Sequence, residues 1–69
     1  MNMEKNNIMY KEIAGYLLEK KQHKLKDIWD CINKYPTSEE RLRAYEIFNA
    51  LLDGGLFLSN KDGYFNKYV

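Results

Sequence analysis

TSEERLRAYEIFNALLDGGLFLSNKDGYFNKYV, residues 37–69, reads as a helix, a glycine stop and a hairpin in immediate succession. Thr37 offers a hydroxyl at a helix N-cap and Glu40 a carboxylate three residues on, the spacing of a capping box that satisfies otherwise unpaired backbone N–H groups. Pro36 holds the chain extended just upstream, so the helix is predicted to start at Ser38 or Glu39. Leu42, Ala44, Tyr45, Ile47, Phe48, Leu51 and Leu52 then recur at three- and four-residue steps, which predicts one broad apolar face directed at a core. Gly54-Gly55 can take the positive φ that ends a helix. Leu56–Ser59 and Tyr64–Tyr68 are short aromatic and aliphatic runs, and Asn60-Lys61-Asp62-Gly63 between them is a turn whose glycine can close a hairpin.

Working outward, Met9, Tyr10, Ile13, Ala14, Tyr16, Leu17 and Leu18 lie on a helical stripe, with Asn6 or Asn7 as its cap and Lys20-Lys21 near its C-terminal end. Residues 1–6 are polar and unpatterned and are expected to lie outside the domain as a disordered N-terminus. Gly15 within this helix costs about 1 kcal/mol relative to Ala and suggests close approach of another element. Residues 22–25 read as a connector. Leu25, Ile28, Trp29, Ile32 and Tyr35 predict a second helix over 26–34, with Trp29 on its inner face as the largest piece of the core. The expected fold class is α+β: a winged helix-turn-helix over residues 7–69, three helices followed by a C-terminal β-hairpin wing.

A chain of 69 residues is one small domain, able to bury only about 60% of the surface its unfolded form exposes. It has little room for an ordinary catalytic cleft. Cys31 and His23 are the only conventional nucleophile and ligand candidates, and they fall on different elements. A thiol catalyst needs its base within reach and zinc needs three or four ligands, so no enzymatic activity, metal or cofactor is expected. Cys31 reads as a half-buried helix thiol and His23 as a solvated connector imidazole. A lone cysteine suits a reducing compartment, and no run approaches the roughly 20 apolar residues of a membrane span, so a cytoplasmic monomer is expected.

Eleven basic and ten acidic side chains give a net charge of +1, without the excess typical of a stand-alone nucleic-acid binder. In a winged helix the third helix meets the major groove. Here Glu39–Asp53 carries two arginines against four carboxylates, a net −2 that repels phosphate. The exposed face is expected to comprise Glu39, Glu40, Arg43, Glu46, Asn49, Ala50 and Asp53, which suits a protein partner better than a DNA groove. Candidate partner contacts are Arg43, Glu46, Asn49, Asn60, Lys61 and Asp62. The competing reading, a small sequence-specific DNA-binding regulator, would use Arg41, Arg43, Asn49, Lys61 and Lys67. Positive charge collects instead at Lys20, Lys21, Lys24 and Lys26, a cluster that reads first as solvated surface.

The runs Tyr16-Leu17-Leu18-Glu19-Lys20-Lys21, Leu25-Lys26-Asp27-Ile28-Trp29, Ser38-Glu39-Glu40-Arg41-Leu42 and Phe48-Asn49-Ala50-Leu51-Leu52-Asp53-Gly54-Gly55-Leu56-Phe57-Leu58 together resemble the N-terminal domain of the delta subunit of bacterial RNA polymerase. That domain belongs to the HARE-HTH winged-helix family, and the similarity covers residues 7–69. The sequence departs from the family pattern in one extra residue after Asp53-Gly54, in Tyr64 where a wing Trp is usual, and in Lys24 where the second helix usually has a small polar cap. The resemblance implies an accessory role: binding core RNA polymerase, weakening its nonspecific nucleic-acid contacts and assisting transcript release and recycling. In the family an acidic, disordered tail follows the folded domain. The present sequence stops at Val69, which fits either the removal of such a tail or a tail-less relative whose mechanism does not include that competition.

Overall fold

The chain runs α1 (Met3–Glu19), β1 (Gln22–Lys24), α2 (Leu25–Asn33), α3 (Ser38–Leu52), β2 (Phe57–Asn60) and β3 (Gly63–Asn66). This is a computed structural model that describes residues 3–68, with side chains from residue 7 onward. It is α+β, with three helices and one antiparallel sheet of strand order β1-β3-β2, a layout compatible with a winged helix.

The start of α3 follows its sequence signal. Thr37 is the N-cap and its hydroxyl accepts from the Glu40 N–H at 3.1 Å. The same hydroxyl donates to the Glu40 carboxylate at 2.9 Å, so the box closes side chain to side chain. The helix ends at Leu52, and Gly55 takes φ +94° two residues beyond the C-cap Asp53, a conformation that a residue with a Cβ resists. Arg41 fixes the turn between α2 and α3 by donating from Nη1 to the Tyr35 carbonyl at 2.8 Å.

The core is a set of four-residue rows. Met9, Ile13 and Leu17 come from α1, Ile28 and Ile32 from α2, Ala44, Phe48 and Leu52 from α3, and Phe57 from β2. Successive members within each helix are four residues apart, so they stack along one ridge. Three short helices supply each other with too few neighbours to cover a broader arc. Residues one step round the helix are therefore left outside: Tyr10, Leu18, Leu42 and Tyr45 were expected on core-facing stripes but are 40–60% exposed. Trp29 is corrected most sharply, since it is 47% exposed rather than central to the core. Phe48 is buried as expected, and Leu51 packs against the core edge half-buried.

Three further expectations change. α1 begins at Met3, so residues 3–6 belong to its first turn and neither Asn6 nor Asn7 caps it; residues 1 and 2 lie outside the described part. Gly15 meets no other element: beyond its own helix backbone and chain neighbours, no atom of the described residues would lie within 4 Å of a Cβ there. Most consequential, the connector is a strand. Gln22, His23 and Lys24 pair with Phe65, Tyr64 and Gly63 of β3, so the C-terminal hairpin is the middle and far edge of a three-stranded sheet. Backbone bonds from Asn66 N–H to the Lys21 carbonyl (2.7 Å) and from Leu25 N–H to the Asp62 carbonyl (3.1 Å) seal both ends of this pairing.

His23 explains why β1 docks. It is 2% exposed, with Nε2 2.8 Å from the Leu17 carbonyl. A carbonyl only accepts, so Nε2 carries the proton. Leu17 lies in the last turn of α1, where carbonyls lack helical partners, so the imidazole caps the first helix from the neighbouring strand. Its ring is packed by Tyr16 at 5.0 Å and Phe57 at 6.4 Å between centroids.

Candidate interaction surface

The outward sides of α2 and α3 carry an aromatic slab. Trp29 and Tyr45 stack at 5.5 Å between centroids and 22° between planes, and both keep close to half their surface in water. Leu42, one turn before Tyr45 on α3, is 60% exposed, and Leu25, one turn before Trp29 on α2, is 42% exposed. Residues 42, 45, 46, 49, 50 and 53 follow steps of three, one, three, one and three, so Leu42, Tyr45, Glu46, Asn49, Ala50 and Asp53 form one exposed stripe along α3. A contiguous apolar patch with a polar border is the usual form of an interaction site on a small domain. Sequence reasoning assigned Leu42, Tyr45 and Trp29 to the core and so missed its centre. The helical spacing alone could not separate these residues from the buried row beside them.

The expected contact residues divide between two places. Arg43 and Glu46 line a 480 Å³ groove between α1 and α3, together with Asn7, Tyr10, Ile47 and Ala50. Asn49 stands exposed on the same helix. Asn60, Lys61 and Asp62 lie at the hairpin turn. The Asn60 carboxamide oxygen accepts from the Asp62 N–H at 2.8 Å and the Gly63 N–H at 2.9 Å, so this side chain builds the turn. Of the residues that a DNA-reading mode would use, Arg41 is engaged with the Tyr35 carbonyl, while Lys61 and Lys67 are exposed on the hairpin side.

Cys31 and His23 both adjoin one residue, Tyr16. Cys31 is half-buried, as expected, whereas His23 is buried rather than solvated. Burial, and next a hydrogen bond with the Cys31 side chain, push the Tyr16 hydroxyl up to about 12. Tyr16 and Cys31 line a 250 Å³ cleft with Glu12, Ile13, Lys34, Tyr35 and Phe48, and His23 lies outside its lining. Among the described residues no three His, Cys, Asp or Glu side chains come together as a metal site, and no helix is long and apolar enough to cross a membrane.

Comparison with models of known families, with curated proteins and with solved structures finds no match for this chain.

Proposed function

We propose that this chain is a non-enzymatic winged helix-turn-helix module that docks on the transcription machinery through the outward side of α2 and α3, and that its partner is core RNA polymerase. The exposed Trp29–Tyr45 stack carries this reading. It occupies the surface that a DNA-reading helix would turn to phosphate, and α3 with its C-cap Asp53 sums to −2. Aromatic anchors in a polar border are what protein interfaces use for most of their binding energy. Carboxylates at that place oppose a polyanion. The resemblance to the delta subunit's N-terminal domain supplies the choice of partner and the expected consequence, altered nucleic-acid contacts and faster recycling of the polymerase. The surface chemistry supports a protein partner independently of that resemblance.

Retention of the chain on immobilised core polymerase from a Gram-positive bacterium tests the proposal. The unsubstituted chain is expected to be retained, and a Trp29→Ala/Tyr45→Ala variant that keeps its circular-dichroism spectrum is expected to be lost. Equal retention of the two would move the contact elsewhere, and no retention of either would remove the partner.

A further inference from the structure

The outer face of the sheet presents a different chemistry from the α2–α3 surface. Its register places Gln22, Phe65 and Leu58 in one row and Lys24, Gly63 and Asn60 in the next, while His23, Tyr64, Ser59, Phe57 and Asn66 belong to the opposite, inward face. Leu58 is 54% exposed and Phe65 is half-buried. The Lys21 ammonium stands over the Phe65 ring, 5.2 Å from its centroid, so the face turned away from the core is one that a mobile surface side chain covers. Beside it lies a 450 Å³ notch whose lining includes Gln22, Lys24, Lys26 and Asp62 and reaches His23 and Tyr64.

The charge here is mainly basic, with Asp62 the one carboxylate lining the notch. Residues 20–26 hold four lysines and no carboxylate. All four are exposed, and among the described residues none is held in an ion pair. Lys21 and Lys24 flank the aromatic row directly, and Lys26 stands at the rim of the notch. Lysines without ion-pair partners around a partly exposed ring form the pattern that holds a phosphate backbone while a base stacks. A duplex cannot use the ring, because its bases are already stacked, and the acidic α3 keeps a duplex from entering in the usual orientation. The notch adds the Gln22 amide and the Asp62 carboxylate, which suit the donor and acceptor edge of an unpaired base.

We infer that the outer face of the sheet is a binding platform for single-stranded nucleic acid, with a base replacing the Lys21 ammonium over Phe65 and successive phosphates at the displaced Lys21, Lys24 and Lys26. The site is separate from the polymerase-docking surface and does not depend on it. Three phosphate contacts on a single strand correspond to a salt slope near −2, or roughly a 20-fold loss of affinity between 50 and 200 mM salt. Loss of one stacked base by Phe65→Ala corresponds to roughly tenfold weaker binding.

Amide chemical-shift titration of the full chain with a ten-nucleotide oligothymidylate at 50 mM salt provides the test. Three comparisons accompany it: a duplex of equal length, polyglutamate of equal charge, and the variants Phe65→Ala and Lys24→Gln/Lys26→Gln. Shifts are expected in Gln22, Lys24, Gly63 and Phe65, with the single strand favoured over both competitors and both variants weakened. The Lys24→Gln/Lys26→Gln variant alters only exposed side chains, so it remains informative if Phe65→Ala fails to fold. An unperturbed spectrum, shifts confined to α3, or duplex binding equal to single-strand binding would overturn the inference. Equal binding of polyglutamate would instead make the face a dock for acidic polypeptide.

Discussion

Gly63→Ala should unfold the sheet, and the cost can be worked from the geometry. Gly63 has φ +154°, and a Cβ there would overlap the His23 carbonyl oxygen and lie 2.9 Å from the Lys24 Cα. All of these atoms are β1 backbone, which cannot swing away as a side-chain tip can. Backbone strain at positive φ costs roughly 1–3 kcal/mol. Displacing β1 adds the loss of two or so ladder bonds at about 1 kcal/mol each. The total, roughly 3–5 kcal/mol, compares with a global stability of about 3.5–10 kcal/mol for a chain of this size. Thermal unfolding followed by circular dichroism should therefore show Tm falling by roughly 12 °C or more. Gly15→Ala is the internal control. It is the same chemical change on an open helix surface, and should raise stability by up to about 1 kcal/mol. A Gly63→Ala protein melting within about 4 °C of the parent would refute the β1–β3 register.

Thr37→Ala removes the hydroxyl that both accepts from the Glu40 N–H and donates to its carboxylate, and should cost about 1 kcal/mol in urea denaturation. Phe48→Ala opens the centre of the core, where the ring is 1% exposed, and at roughly 3–5 kcal/mol should leave little folded protein by near-UV circular dichroism. Burial raises the hydroxyls of Tyr16, to about 12, and of Tyr35. Unfolded tyrosines ionise near 10, so this contribution is intact below about pH 10 and lost as pH rises through about 12. Tyr16→Phe should lose about 1 kcal/mol less than the parent between pH 9 and pH 11, after allowance for solvent screening; identical losses would contradict the burial of that hydroxyl.

Local signals carried the helices and the hairpin. The box at Thr37, the stop at Gly54-Gly55 and the turn at Asn60–Gly63 act within a few residues, so their consequences could be read without knowing what packs where. The width of the buried arc could not. Leu42 and Tyr45 fall beside the row of Ala44, Phe48 and Leu52, and only the number of neighbouring elements decides whether the second row is covered. Trp29 misled for the same reason, with its size mistaken for depth. β1 was hidden because its one inward residue is a histidine: Gln22-His23-Lys24 alternates exposed, buried, exposed, yet all three side chains are polar. The pull that brings it in, a helix-end carbonyl at Leu17, is non-local. The same error of scale left the candidate site half seen, with its charged border named and its aromatic centre counted as core.

Trp29 is the sole tryptophan, so its fluorescence reports directly on the surface from which docking is argued. In the free, folded chain the indole is expected to emit near the wavelength of a solvated side chain and to be readily quenched by acrylamide. Adding core polymerase should shift the emission to the blue and slow the quenching. Emission already blue and resistant to quencher in the free chain would place Trp29 in the core, and with it would go the aromatic surface on which the proposed function stands.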